Sequence, residues 1–150
     1  MKNIFDKEIT NEVVNRINNL TEATQPSWGK MSVSQMLAHC SVSYEMVYTD
    51  KHAKPNAFVK TMLKLFVKKA VVNEKPYPKN GRTAPQFIIT DARAFEVEKK
   101  RLVDYILKTQ ELGEDYFEGK ESHSFGKLTA KEWNNSFYKH LEHHLTQFAV

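Results

Sequence analysis

Three histidines near the C-terminus have the spacing that most suggests chemistry. The segment EWNNSFYKHLEHHLTQF, residues 132–148, contains His140, His143 and His144, half of the six histidines in the chain. His140 and His144 are four residues apart, so on a helix their imidazoles lie one turn apart and can share a metal ion. At about 100° per residue, both lie at the edge of the apolar stripe of this segment, whereas His143 points further outwards. The same spacing occurs in helices whose histidines only form hydrogen bonds, so both interpretations stay open without a third ligand.

His39, in the segment QMLAHCSVSYE, is the candidate for that third ligand. It lies in the middle of a predicted helix, at the edge of its buried face. Its position alone slightly favours a surface or hydrogen-bonded histidine over a ligand. The other two histidines are weaker candidates: we expect His52 to be solvated, and His123 to pack or cap in the loop before the last helix.

Glu142 and Cys40 belong to patterns that could indicate catalysis, and neither pattern holds. The string HLEHH resembles the helix of zinc peptidases, but that motif requires Glu directly after the first histidine, and Glu142 comes two residues after it. Its helical position also faces solvent. Cys40 lies on the apolar stripe of its helix, which favours a buried, inert thiol over a nucleophile. Because it is the single cysteine, a metal site would have to use His, Asp or Glu.

Four segments have the apolar periodicity of long helices, and three of them begin with clear capping signals. Asp6 is a predicted N-cap for the first helix. In the second, over about 32–49, Ser32 and Gln35 form a predicted capping box. Thr129 and Glu132 form another at the start of the last helix. These caps place His39 on the second helix and the clustered histidines on the last.

The third long helix is predicted to open at Thr90-Asp91 and to end near Gly113. Between the second and third helices, Pro55 could occupy the first turn of a shorter helix. Its lysine side is expected to be exposed and its apolar side to cover the bundle; the apolar residues are Phe58, Met62, Leu65 and Phe66, and the lysines are Lys60, Lys64 and Lys68. The following NEKPYPKNGRTAPQF reads as an irregular loop. We therefore expect an all-α fold, a four-helix bundle with a long crossover connection and an extra short helix between helices 2 and 3.

Composition and charge narrow the class of protein. A chain of 150 residues with 41% hydrophobic and 27% charged residues is expected to form one globular domain over 1–150. The sequence has neither the pattern of an N-terminal signal nor an apolar run of membrane-spanning length, which predicts a cytoplasmic protein. The net charge of +4 comes from one segment, because residues 51–82 contain nine Lys or Arg and a single acid, Glu74. The pI near 9 therefore reflects this basic segment and not an even excess of positive charge over the whole domain.

The segments WGKMSVSQMLAHC and FGKLTAKEWNNSFYKHLEHHLTQF together resemble the DinB/YfiT-like superfamily, and in particular a branch of bacterial proteins known as a domain of unknown function. The resemblance covers essentially the whole chain and implies a four-helix bundle with a crossover. It also implies a divalent metal held by three histidines, one in the second helix and two spaced i, i+4 in the last. Carried over by residue, these are His39, His140 and His144, while His143 and Gln147 match the tail of the motif without being ligands.

The function implied by the resemblance is that of a divalent-metal-dependent enzyme. Three neutral imidazoles leave coordination positions open for water or substrate, which is the arrangement of catalytic metals. Such ligands suit zinc, nickel, copper or iron, with zinc or nickel expected. Activation of a thiol or of water would make the protein a thiol S-transferase or a hydrolase that acts on a small-molecule substrate, such as a low-molecular-weight thiol. Tyr44, Glu45 and Trp133 are candidates to orient it.

The alternative hypothesis is a binding protein without turnover, which uses the basic segment Lys51–Arg82 to dock on an anionic partner or surface. Only the charge asymmetry supports this hypothesis. Nucleic acid is not the expected partner, because the segment lacks the interleaved arginines and aromatic residues of such sites. The sequence leaves open the substrate, the metal and whether the bundle pairs into a homodimer.

Overall fold

The computed structural model describes all 150 residues, and most of them are helical. The six helices are α1 (Lys7–Asn18), α2 (Val33–Tyr48), α3 (Ala57–Phe66), α4 (Lys68–Val72), α5 (Phe95–Phe117) and α6 (Ala130–Gln147). Two short strands, β1 (Glu121–Ser122) and β2 (Gly126–Lys127), form an antiparallel pair before α6. This architecture agrees with the all-α class expected from the sequence. None of the helices combines the length and apolar character needed to cross a membrane.

Three helices begin where the capping signals predicted. The Asp6 carboxylate accepts hydrogen bonds from the backbone N–H groups that open α1. Ser32 and Gln35 form a complete capping box at the start of α2, and Thr129 and Glu132 form one at the start of α6. Each box satisfies two N–H groups that lack partners within the helix. Local sequence therefore determines where α2, which carries His39, and α6, which carries His140 and His144, begin.

A continuous apolar core holds α2 and α6 beside each other. Helix α2 packs against α5 and α6, and α1 packs against α5 and α6. At the α2–α6 contact the Tyr44 and Phe137 rings are stacked, with centroids 4.7 Å apart. The largest fully buried side chains are Tyr44, Phe117, Phe137, Phe148, Ile4, Ile17, Leu20, Met36, Leu37, Leu102, Ile106 and Leu141. Because this packing is dense, it limits how far the histidines at its edge can move.

The third long helix starts later than predicted, and its predicted end near Gly113 is a break in the helical backbone. Helix α5 starts at Phe95 rather than at Thr90-Asp91, and Asp91 instead forms an ion pair with Arg93 in the preceding loop. Gly113 has φ +71°, which interrupts the helical backbone, but helical structure resumes and continues to Phe117. The glycine therefore bends the helix at the place where its end was predicted.

The extra short helix exists, but its orientation contradicts the prediction. Helix α3 begins at Ala57 with Asn56 as its N-cap, so Pro55 precedes the helix instead of occupying its first turn. Its apolar side was expected to cover the bundle and is exposed instead, with Phe58 74% and Phe66 72% accessible. The periodicity correctly predicted which residues share a face, but it contains no information on the direction in which that face points.

The segment between α4 and α5 is irregular apart from one short 3₁₀ turn at Pro85–Phe87, as its prolines and Asn-Gly predicted. Lys139 of α6 ties the start of this segment to the helices. Its buried ammonium group donates to the carbonyl oxygens of Ala70 and Asn73, at 2.8 and 2.6 Å, and to the Asn73 side chain. The contact holds the loop close to the histidine-bearing face of α6.

Candidate metal centre

The fold brings His39 of α2 together with His140 and His144 of α6. Each offers one ring nitrogen, and these three atoms lie within 4.8 Å of one another. The Nε2 atoms of His39 and His140 are 2.8 Å apart. His39 and His144 are buried, whereas His140 is only partly so. The group therefore lies at the edge of the core and could hold a metal ion.

The Nδ1 atom of each ring has its own oxygen partner. His39 Nδ1 lies 2.8 Å from the carbonyl oxygen of Phe87, which can only accept, so this nitrogen carries the proton. His144 Nδ1 lies 2.8 Å from Gln147 Oε1, and His140 Nδ1 lies 3.0 Å from Ser43 Oγ. Metal-binding histidines are typically oriented by such a partner on the opposite nitrogen. The arrangement leaves the Nε2 atoms to face one another.

Gln147 connects His144 to the loop before α2. Its Nε2 donates to the Trp28 carbonyl oxygen at 2.6 Å, which fixes the amide so that Oε1 accepts from His144. The backbone also joins the two segments, because Ser27 N–H donates to the Gln147 carbonyl at 2.7 Å. We refer to these contacts of Gln147 with His144 and with the 27–28 backbone as the Gln147 clamp. Gly29 lies against it: a Cβ there would be 2.6 Å from Gln147 Nε2, and the φ of Gly29 is +84°. Only a glycine fits this position without displacing the amide.

The arrangement of the three rings is compatible with a bound cation. With Nδ1–H groups on His39 and His144, their Nε2 atoms present unprotonated lone pairs. The short contact between His39 and His140 then requires either a proton on His140 Nε2 or a positive ion near both nitrogens. Two imidazole ligands of a tetrahedral zinc ion are roughly 3.3 Å apart. The His39 and His140 nitrogens would therefore have to separate by about half an ångström, whereas ring nitrogens that are up to 4.8 Å apart would have to approach one another. With these shifts of the side chains, the residues present fit a metal.

Burial keeps the three imidazoles neutral, which is the form that binds metal. Desolvation lowers the pKa of His39, and it lowers the pKa of His140 well below its usual range, with a further contribution from the neighbouring histidines. Desolvation, followed by the effect of His39, lowers the pKa of His144 to about 3. At neutral pH, these rings therefore carry no positive charge that would oppose the entry of a cation.

Aromatic rings surround the exposed side of the centre. The Phe87 ring lies 5.4 Å from that of His39 and 5.7 Å from that of His140. The half-buried His143 ring is outside the triad, and the Trp28 and Tyr77 rings lie steeply inclined to it, each with its centroid 5.9 Å away. We refer to Trp28, Tyr77 and Phe87 as the aromatic rim. No sequence pattern marks Phe87 or Ser43, because their contacts with His39 and His140 depend on loop placement and on the packing of helices.

The residues proposed to orient a substrate have other roles. Tyr44 and Trp133 belong to the buried core, and Tyr44 stacks on Phe137. Glu45 is buried in an ion-pair group with Arg101, Lys51 and His52. Burial acts to raise the pKa of Glu45, but the bonds from Lys51 and His52 and the charge of Arg101 outweigh it, and the pKa is lowered. His52 is therefore paired rather than solvated.

The other sequence candidates behave as their positions indicated. Cys40 is buried, and burial raises its thiol pKa, so the group is inert. Glu142 is partly exposed and forms an ion pair with Arg16 of α1. His123 packs in the β1–β2 turn, where it contacts the Ser124 hydroxyl and the carbonyl oxygen of His52.

The lowered histidine pKa values predict that the metal-free protein loses stability on mild acidification. Below about pH 6.5 the unfolded chain binds protons that the buried rings do not. The free energy of unfolding therefore decreases as the pH is lowered. His144 alone, with a folded pKa of about 3, contributes a loss of ~2 kcal/mol by about pH 5. Urea unfolding of the chelator-treated protein between about pH 7 and pH 5 measures this slope.

The variant His144→Gln is the control, because it removes one of the titrating rings and should reduce the slope by its share, while His39 and His140 continue to contribute. Carboxylates such as Glu45 and Glu142 titrate below this window, since their pKa values are lowered from an already acidic range. Stability of the wild-type protein that does not change over the window would contradict the assignment of neutral, buried rings.

The sequence profile of "Protein of unknown function (DUF1569)" matches residues 4–150. Searches of curated proteins and of solved structures found no match. Since the profile covers nearly the whole chain, the protein belongs to the DUF1569 family.

Proposed function

We propose that this member of the DUF1569 family is a divalent-metal-dependent enzyme of the DinB/YfiT-like type, a single four-helix bundle domain over 1–150 with a crossover connection. His39, His140 and His144 are its metal ligands. The observation that supports this proposal is the orientation of the three rings, whose Nδ1 atoms are all paired to oxygen while their remaining nitrogens converge.

The donor set favours a catalytic centre over a structural one. Three protein ligands leave at least one coordination position open. The contacts of the triad include no carboxylate, so the ligands bring no negative charge to the ion. A divalent ion held there, zinc or nickel by preference, keeps its full charge and lowers the pKa of a thiol or water beside it. A centre of this charge favours an anionic fourth ligand, as a thiolate or hydroxide provides.

The surrounding residues support the binding of a small organic substrate. His140 is the least buried ring of the triad, and the Tyr77 and Phe87 rings flank it with apolar surface. Such surface excludes water and packs against the apolar part of a substrate. Gln147, Ser43 and the Phe87 carbonyl hold the imidazoles in place throughout. These features fit a thiol S-transferase or a hydrolase.

Turnover of simple probes tests the proposal. Untagged protein loaded with zinc, or with nickel, is incubated either with a small thiol and chlorodinitrobenzene or with a nitrophenyl ester. In the first reaction a carbon–sulfur bond forms, chloride leaves and the thiol proton passes to solvent; in the second, water cleaves the ester. We expect at least one rate to exceed that of the metal-free protein by about tenfold or more.

His39→Ala should lose this rate, and His143→Ala is the control for the metal ligands. If the protein holds metal but neither reaction depends on it, the proposal of a thiol transferase or hydrolase is wrong, and the metal centre remains without these activities.

A further inference from the structure

Helix α3 has an apolar face that no other part of the chain covers. Phe58, Leu65 and Phe66 are 74%, 66% and 72% accessible, and Val59 and Met62 are also exposed. All five lie within one arc of the helix at about 100° per residue. Apart from Val67, the C-cap of α3, the other exposed apolar side chains lie on different elements, such as Val97 on α5. A continuous apolar patch of this kind on a surface exposed to water indicates a binding site.

The surroundings of this face are strongly basic. Residues 51–82 contain nine Lys or Arg and one acid. Three of the nine form ion pairs, namely Lys51 with Glu45, Lys60 with Glu121 and Lys68 with Glu132. The six without ion-pair partners are Lys54, Lys64, Lys69, Lys75, Lys79 and Arg82. The one acid, Glu74, is already paired with Lys131 and the N-terminal amine. Of these six, Lys64 belongs to α3 and Lys69 to the adjacent α4, whereas Lys79 lies over the Trp28 ring. The apolar face therefore has uncompensated positive charge on its own helix and on the next one.

The positive charge beside the apolar face distinguishes between three kinds of partner: a second copy of the chain, nucleic acid and an anionic bilayer. A two-fold dimer through α3 would bring the same basic segment of both copies together, because a two-fold interface uses one surface twice. Nucleic acid accounts for the lysines but leaves the aliphatic Leu65 and Met62 without a role. An anionic bilayer accounts for both features, since apolar side chains enter the acyl boundary while lysines remain at the phosphate groups.

We propose that α3 docks this protein on membranes that contain anionic lipid. The helix lies along the bilayer surface with Phe58, Leu65 and Phe66 inserted, and Lys64 and Lys69 contact the headgroups. A helix of ten residues gives reversible attachment, because apolar insertion and electrostatic attraction are each weak alone. The docking uses none of the residues of the metal centre.

Cosedimentation with vesicles tests the proposal. The full chain is mixed with vesicles of phosphatidylcholine and with vesicles of phosphatidylcholine and phosphatidylglycerol in equal proportions. We expect binding to the anionic vesicles only, weakening as salt is added. The triple variant Phe58→Ser, Leu65→Ser, Phe66→Ser should bind about tenfold or more weakly, and Lys64→Glu with Lys69→Glu should do the same.

The matched control is Val97→Ser with Leu107→Ser, which removes exposed apolar residues from α5 and should leave binding unchanged. Circular dichroism and metal content verify that each variant is folded. Equal binding to both kinds of vesicle, no binding to either, or full binding by the triple variant would overturn the proposal. So would a dimer that the triple variant dissociates, or a salt-sensitive DNA complex without vesicle binding.

Discussion

Protein purified without an affinity tag is expected to contain about one equivalent of divalent metal, and His39→Ala, His140→Ala and His144→Ala are each expected to abolish it. The three ring nitrogens converge within 4.8 Å, and neighbouring oxygens orient the rings. None of these oxygens belongs to a carboxylate that could replace a lost histidine as a ligand. Loss of one ring leaves two neutral ligands, for which we expect an affinity at least about a hundredfold lower. Elemental analysis and competition with a chelator measure both quantities.

His143→Ala is the matched control, because it removes a neighbouring histidine from the same helix. The His143 ring lies near the rings of Trp28 and Tyr77 and is not part of the converging group. Its removal should leave the metal content unchanged. Full retention of metal in the His140 or His144 variant would contradict the proposed centre, and loss of metal in all four variants would indicate a general loss of structure instead.

The sequence was informative where local rules determine the structure. The capping boxes at Ser32 and Thr129 are local, and both are formed. Helical geometry also separated His140 and His144 from His143, and the structure brings the first two together with His39. The second and last helices lie far apart in the chain, so their proximity was implied by the resemblance and not by spacing.

The remaining parts of the site depend on tertiary contacts that no local pattern specifies. The Phe87 carbonyl reaches His39 from an irregular loop, and a carbonyl has no sequence signature. Ser43 and Gln147 are ordinary helix residues until the imidazoles lie beside them. Helix α3 shows the same limit: its amphipathic pattern was evident, but the direction in which its apolar side points depends on tertiary contacts, and that side is exposed.

Gln147 is expected to control metal affinity without being a ligand. Gln147→Ala removes the acceptor of the His144 Nδ1–H group and the donor to the Trp28 carbonyl. Loss of such an orienting partner typically lowers metal affinity by about 10- to 100-fold. Gln147→Glu separates the two roles, because a carboxylate still accepts from His144 but donates nothing to Trp28. We therefore expect Gln147→Glu to retain metal while the loop before α2 becomes more susceptible to proteolysis; equal affinity in wild type and Gln147→Ala would remove Gln147 from the site.

Gly29→Ala tests the same clamp with every side chain of the centre intact. The added Cβ would lie 2.6 Å from Gln147 Nε2, so the amide must move and carry the His144 contact with it. Part of any effect would come from backbone strain, since φ is +84° and alanine in this region costs roughly 1–2 kcal/mol. Gly119→Ala is the matched control, because its φ is +69° but nothing lies within 4 Å of the added Cβ. Both variants should lose similar stability, and only Gly29→Ala should lose metal affinity, by about tenfold. Equal affinities in chelator competition would mean that the 27–29 loop does not hold the metal ligand in place.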